Sequence, residues 1–348
     1  MKINIVMPSI GNSGGIDVVY KYVYLLKKRG HDVCVYKELK AVNICRYSSK
    51  MKNYLHQVYC TLKACVQKNK GKHPEDCYVW KITNQSVRDA DVIIATAWPT
   101  SYRINGLSTS KGRKYYFIQD YEVWDNAELG KKSYKLPLHK IVISTWINEC
   151  LQRDLGIGPF PIVYNGVDTA LYHPIETKKD GETCFLMLNH ILPKKGVANG
   201  LKVFEKIRVK YPKCKLRMFG MCDNSNLPSY VEYYQNPSKQ KIIELYSMSD
   251  IFIFPSIEEG WGLTPLEAMA CGCVVVGTST GFVLDFGFHR ENMMISKPGD
   301  VSAMVENISE LIMKPELMQT IRKNGWETIE YLDWDKSADR ISDLLKYN

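Results

Sequence analysis

At 348 residues the chain holds material for about two domains, enough for full hydrophobic cores. Apolar residues make up 45% and charged residues 24%, globular proportions that exclude long disorder and fibrous architectures. Formal charge is +9, and no apolar run approaches the ~18 residues of a spanning helix, nor does a signal-peptide pattern follow Met1. A cytoplasmic protein is expected.

In chain order, residues 2–9 read as a β-rich apolar strand that breaks at a glycine loop, residues 11–15 (GNSGG), before a helical pattern from Asp17 to Lys28. Residues 32–36 supply a second strand. Between Lys37 and Lys72 lie nine basic residues (Lys37, Lys40, Arg46, Lys50, Lys52, Lys63, Lys68, Lys70, Lys72) against Glu38 alone. Within this segment Tyr54, Leu55, Val58, Tyr59, Leu62, Cys65 and Val66 recur at helical spacing, which predicts a basic amphipathic helix. Its readings are a solvated helix docked on its own domain, an anionic membrane surface, or nucleic acid. No RNA-recognition or helix-turn-helix signature accompanies it, so a nucleic-acid partner is not expected.

Further strands are expected at 91–98, 115–119 and 140–144. Residues 156–161 and the segment to Gly181 are rich in Gly, Pro and charge and read as a linker. A second set follows, with strands at 183–188, 215–219, 250–255 and 273–277 and helices over 197–211 and 238–248. Strands alternating with helices predict parallel sheets covered on both faces. The class is therefore α/β with two Rossmann-like doubly wound domains, 1–170 and 171–348. The final amphipathic stretch, Ala338 to Tyr347, is free in this reading to pack back on the first domain. The eleven cysteines, an odd number with no C-x-x-C pair, fit reduced thiols, and Cys271 and Cys273 read as small buried side chains rather than metal ligands.

The most informative run is 250–277 (DIFIFPSIEEGWGLTPLEAMACGCVVVG). An apolar strand ends at Pro255-Ser256, a glycine-containing loop follows, and a helix is predicted with Thr264 as N-cap, Pro265 first and Gly272 past its end. Ligands of open parallel sheets gather at such strand ends, and the backbone N–H groups of Gly262, Leu263 and Thr264 at a helix start suit an anion such as a diphosphate. Glu259 and Glu267 cannot bind phosphate, but carboxylates accept from hydroxyl groups. A diphosphate flanked by two polyhydroxyl rings, a nucleotide sugar, satisfies both. Thr264-x-x-Glu267 also matches a capping box, and Glu259 could be an exposed loop charge.

Glu259-GWGLTPL-Glu267 resembles the E-x7-E motif of retaining glycosyltransferases of the GT-B fold, glycosyltransferase family 4 (group 1). Residues 268–276 (AMACGCVVV), 164–174 (YNGVDTALYHP), 188–196 (LNHILPKKG) and Gly14-Gly15 resemble the same family in the same order. The resemblance implies two domains facing a cleft and a nucleotide-sugar donor bound mainly by the second. On it, Glu267 holds ribose hydroxyls, Glu259 contacts the transferring sugar, Leu263 and Thr264 donate to the diphosphate, and Lys195 neutralises the departing diphosphate. His190 stands where relatives often have Arg. Where relatives commonly have a His after the fifth strand, this chain reads FIQDYEVW (117–124), which makes Asp120 the first candidate for acceptor or donor-sugar contact and Glu122 the second. Residues 116–122 (YFIQDYE) also resemble bacterial rhamnosyltransferases that use dTDP-rhamnose.

The resemblance implies no metal or other cofactor, a glycan or lipid-linked saccharide as acceptor, and a place in polysaccharide or glycoconjugate synthesis at the inner membrane face. Four other readings stay open. A metal-dependent transferase would use Asp333-Trp-Asp335 or Asp89-Ala-Asp91. A nucleotide-sugar epimerase would share the fold. A dinucleotide oxidoreductase would use Gly11, Gly14, Gly15 and Glu38, though without a G-x-G-x-x-G spacing. The last is a non-catalytic carbohydrate- or membrane-binding protein.

Overall fold

The computed structural model describes residues 1–8, 14–42, 46–68, 73–177 and 181–347. It divides into two compact units: Met1–Ile143, Ile147–Val163 and Ala338–Asn348 form the first, and Ser144–Trp146 with Tyr164–Ser337 the second.

The first unit holds β1 (Lys2–Met7), α1 (Gly14–Lys28), β2 (Asp32–Glu38), α2 (Lys50–Lys68), β3 (Asp76–Val79), β4 (Val92–Ala95), α3 (Trp98–Asn105), β5 (Arg113–Ile118), α4 (Ala127–Ser133), β6 (His139–Val142) and most of α5 (Thr145–Leu155). The second holds β7 (Thr183–Asn189), a 3-10 turn at Pro193–Lys195, α6 (Val197–Lys210), β8 (Cys214–Gly220), β9 (Val231–Gln235), α7 (Lys239–Ser247), β10 (Ile251–Phe254), α8 (Leu263–Ala270), β11 (Val274–Thr278), α9 (Val283–Phe286), β12 (Met294–Ser296), α10 (Val301–Met313) and α11 (Pro315–Tyr331). The last helix, α12 (Trp334–Tyr347), begins in the second unit and passes into the first at Ala338.

Among the described residues each unit holds one six-stranded sheet, ordered β3-β2-β1-β4-β5-β6 and β12-β11-β10-β7-β8-β9, with every strand pairing parallel. Strands buried on both faces need continuous apolar runs, and β4, β10 and β11 have every residue buried. In the second unit Phe185, Met187, Ile251, Ile253, Val274 and Val276 from the sheet join Val203, Phe204 and Ile207 of α6 and Leu311 of α10 in one core. In the first, the chain's last helical stretch lies beside α1: Arg29 Nε meets Asp339 at 2.7 Å, His31 Nε2 meets Ser342 Oγ at 2.9 Å, and Tyr115 donates to the Leu344 carbonyl at 3.2 Å.

Both sheets reverse their direction of growth beside their first strand. After β1-β2-β3 the chain returns to the other side of β1 for β4, and after β7-β8-β9 it returns to the other side of β7 for β10. The crevices at the carboxyl ends of β1/β4 and β7/β10 are the places where open sheets of this kind bind ligands.

Several expectations are corrected here. Gly14 and Gly15 open α1 instead of preceding it, and the rest of the glycine loop, 9–13, lies outside the described residues, as do Lys70 and Lys72. Lys37 is a strand residue paired with Asp76 at 2.8 Å, so it takes no part in the helical basic face. The strands β3, β9 and β12 were not anticipated.

Candidate functional site

The second crevice is assembled by two loops that approach each other at backbone contact. After β7 the chain turns through His190 to Gly196; after β10 it runs from Pro255 to Gly262. Gly196 has φ +65°, and a Cβ there would lie 1.9 Å from the Pro255 carbonyl oxygen, so neither the backbone conformation nor the space admits another residue. The Lys194 carbonyl accepts from Ile257 N at 2.7 Å, tying the loops together. The loop after β11 completes the frame: Thr280 Oγ1 accepts from Glu259 N at 3.1 Å, and Phe282 N donates to the Trp261 carbonyl at 2.8 Å.

Within that frame Lys195 Nζ donates to both carboxylate oxygens of Glu259, at 2.7 and 2.6 Å, and their side chains are only 20% and 13% exposed. Ser256, itself buried, lies 3.4 Å from Glu259 Oε2. These three, with Leu188, Pro255 and Thr264, line a recess of about 10 Å³, room for roughly one water. The resemblance assigned Lys195 and Glu259 to separate ligand groups; in the structure they pair with each other.

The helix expected after this loop starts two residues earlier than predicted. Gly262, at φ +99°, is the N-cap of α8, Leu263 and Thr264 are its first helical residues, and Pro265 is the third. Thr264 is thus inside the helix, and the capping box with Glu267 is not formed. Glu267 instead accepts from the buried Tyr246 hydroxyl at 3.1 Å, a partner on α7 for which the sequence offered no signal. Burial, with Glu267 alongside, pushes the Tyr246 phenol well above its ordinary range, so it stays a donor. The first-turn N–H groups of α8 and the positive end of its dipole open on the side of the sheet where Lys195 sits. Cys271 and Cys273 are both buried, and burial pushes the Cys271 thiol up to about 12.

His190 is half-buried, and its Nδ1 accepts from Leu192 N at 3.0 Å, which leaves the proton of the neutral ring on Nε2. Burial first, then the nearby Lys195 and Lys194 charges, lower its pKa from the ordinary 6.5. It replaces the family's expected arginine with a neutral donor at neutral pH.

In the first unit, Gly14 and Gly15 follow β1 at the other crevice. Asp120 follows β5, where its Oδ1 accepts from Tyr121 N at 2.9 Å and its carbonyl from the Tyr134 hydroxyl at 3.3 Å. Glu122 proves to be an internal fastener. Its Oε2 accepts from Trp98 N at 2.7 Å and the Tyr116 hydroxyl at 2.8 Å, fixing the start of α3 from inside the unit. The second-ranked acceptor candidate is therefore a structural carboxylate. Glu38, considered as a ribose acid, is buried and accepts from Arg103 Nε at 2.7 Å. Of the D-x-D strings, Asp89 pairs with Lys111 at 2.7 Å and Asp333 accepts from Asp335 N at 2.8 Å at the start of α12.

Residues 168–328, nearly all of the second unit, match the family profile described as glycosyl transferases group 1. This segment resembles a glycosyl transferases group 1 domain. A relative spanning both units is the capsular polysaccharide biosynthesis glycosyltransferase CapM of Staphylococcus aureus, 27% identical over 273 residues and covering 70% of each chain. Among solved structures, a sucrose-phosphate synthase from Thermosynechococcus elongatus superposes with TM-score 0.75 at 17% identity, over 99% of this chain and 98% of that one. HepE of Anabaena, solved in complex with UDP-glucose, superposes with TM-score 0.73 at 15% identity over 100% of both chains. These similarities give the two sheets as the GT-B fold, with the Lys195–Glu259 pair and the start of α8 inside the segment that matches the group 1 profile.

Two outcomes are expected. Glu122→Ala leaves Trp98 N and the Tyr116 hydroxyl buried without that acceptor, which costs about 2–4 kcal/mol and lowers the thermal midpoint. For His190, a folded-state pKa below 6.5 means that the unfolded chain takes up the proton first as pH falls. Its contribution to stability is whole above 6.5 and is lost as pH drops through the folded value. An NMR titration of the His190 ring should show a midpoint below 6.5, raised by Lys195→Met but kept below 6.5 because burial is the larger cause.

Proposed function

We propose that this protein is a retaining glycosyltransferase that moves a sugar from a nucleotide-diphosphate sugar to a glycan or lipid-linked saccharide acceptor. The observation that carries this reading is the Lys195–Glu259 ion pair set beside the N-terminus of α8. A cation and a row of N–H donors suit a diphosphate, and a carboxylate beside them suits sugar hydroxyls. Binding exchanges one set of contacts for another: the ammonium leaves Glu259 for the diphosphate, and the freed carboxylate accepts from the sugar. Glu267, oriented by Tyr246, is assigned to the ribose, and His190 to a neutral N–H contact with the diphosphate.

Transfer then breaks the bond between the anomeric carbon and the diphosphate oxygen while the acceptor oxygen bonds to the same face, its proton passing to the departing diphosphate. No enzymic nucleophile is needed. Lys195 and the helix start stabilise the charge that grows on the leaving group, and no metal or other cofactor is assigned. Asp120 is assigned to contact with the acceptor or the transferring sugar, and Gly14 with Gly15 to close backbone approach of the ligand. The similarity to CapM, a capsular polysaccharide biosynthesis glycosyltransferase, supports a saccharide acceptor in polysaccharide synthesis; a place at the cytoplasmic side of the membrane is part of the same proposal.

The test is a thermal-shift panel of UDP, GDP, ADP and dTDP with their sugars, dTDP-rhamnose included, followed by turnover of the stabilising donor with and without EDTA. NMR of the product must show the donor's anomeric configuration. An epimer of the donor sugar formed from donor alone, without any acceptor, would instead indicate epimerisation. Lys195→Ala should lower kcat by about 100- to 1,000-fold, and Glu267→Ala should weaken the nucleoside diphosphate. Glu259→Gln should abolish most turnover yet bind the nucleoside diphosphate about two- to tenfold more tightly, because the lysine no longer has to leave a carboxylate. If Lys195→Ala leaves turnover intact and Glu267→Ala leaves binding intact, the site is misplaced.

A further inference from the structure

Helix α2 is docked with its polar side inward. Asn53 donates to the Tyr47 carbonyl and accepts from Tyr47 N, both at 2.7 Å; Gln57 donates to the Ala41 carbonyl at 2.8 Å; Thr61 Oγ1 accepts from Ala41 N at 3.1 Å. Asn53, Gln57 and Thr61 stand four residues apart and so form one face, where Asn53 and the nearby Ala64 are buried. The opposite face is apolar and turned outward. Met51, Tyr54, Leu55, Tyr59, Leu62 and Val66 are each between 58% and 66% exposed. A helix that burial of apolar surface had oriented would point the other way.

Charge accompanies the stripe. At about 100° per residue, Lys52 and Lys63 fall on one flank of it, while Lys50 and Lys68, at the two ends of the helix, fall on the polar side; all four are exposed. No Asp or Glu occurs between Glu38 and Glu75. An outward apolar stripe with ammonium groups along one edge and at both helix ends, on a helix ~28 Å long, is the arrangement of a helix lying in a bilayer interface. There the rings and aliphatic chains enter the acyl boundary while the lysines reach anionic headgroups. A second copy of the chain fits poorly, since a two-fold contact would set these lysines against their own equivalents with no acid on the helix to meet them.

We propose that α2 docks this protein on an anionic lipid surface. The proposal stands apart from the sugar-transfer reading, because adsorption is measured without turnover. The full-length protein is sedimented with phosphatidylcholine vesicles and with vesicles in which about one third of the lipid is phosphatidylglycerol. Retention should be at least about fivefold greater on the anionic vesicles, about the gain of one lysine at such a surface, and should weaken at high salt. Leu55→Gln/Leu62→Gln and Lys52→Glu/Lys63→Glu should each fall to the level of neutral vesicles with an unchanged melting temperature, since all four positions are exposed. Equal retention on both vesicle types, or double variants retained like the parent, overturns the proposal. So does a lipid-free dimer that Leu55→Gln/Leu62→Gln dissociates, or an RNA oligonucleotide whose binding that variant removes.

Discussion

The contact on which the site depends is between backbone and backbone. Where Gly196 faces the Pro255 carbonyl there is no room for a single methyl group, and this closeness holds the turn after β7 against the loop after β10. Lys195 is the residue before that glycine, and Glu259 stands four residues beyond that proline. A side chain at 196 would drive the loops apart, strand the Lys194 carbonyl that now accepts from Ile257 N, and separate the lysine from its carboxylate. The strand order creates the opportunity, since only where the chain leaves β7 in one direction and returns on its other side do two carboxyl-terminal loops become neighbours.

Electrostatics in that frame pairs or neutralises the groups that line it. Lys195 and Glu259 neutralise each other in a site largely shielded from water, Glu267 is held by a phenol that burial keeps protonated, and His190 is kept neutral by burial and by its lysine neighbours. An arginine in place of His190 would add a third fixed cation beside Lys194 and Lys195. The imidazole keeps a directional N–H without that repulsion. Such a site is responsive because its charges are paired with each other, and an anion can compete for one half of the pair.

The sequence revealed the interior strands of both sheets and the edge strand β6, whose Ile141 and Val142 are buried, and missed β3, β9 and β12, for a reason that is largely positional. All three lie at the edges, where a strand faces solvent along one side and needs no unbroken apolar run; β3 and β9 hold no buried residue, and β12 has three residues in all. The group 1 segment was legible because a glycine-bearing loop between an apolar strand and a helix is written in local residue types. Its finer geometry was not. Thr264 and Pro265 read as a helix start, but Gly262 had already supplied the left-handed residue that turns the chain, so the helix begins before the threonine. Tyr246, Thr280 and the Lys194 carbonyl entered the site through folding alone, from positions with no spacing to mark them. Glu122 failed in the opposite sense: a carboxylate after a strand end reads as a ligand contact, and only the nearness of Trp98 N and the Tyr116 hydroxyl makes it a fastener.

Helix α2 shows a deeper limit of periodicity. Apolar residues at helical spacing establish that a face exists; they carry no information about which way it points, and the usual inference that it points inward rests on burial being the strongest force available. Here the inward direction is taken by hydrogen bonds from Asn53, Gln57 and Thr61 to the backbone at 41 and 47, groups that would otherwise lack those partners. Turning the helix over would bury Leu55, Tyr59 and Leu62 but strand those amides and carry Lys52 and Lys63 toward the protein. The polar contacts and the charges therefore agree in holding the apolar stripe outward, and that agreement is what makes the orientation a property of the sequence rather than an accident of packing.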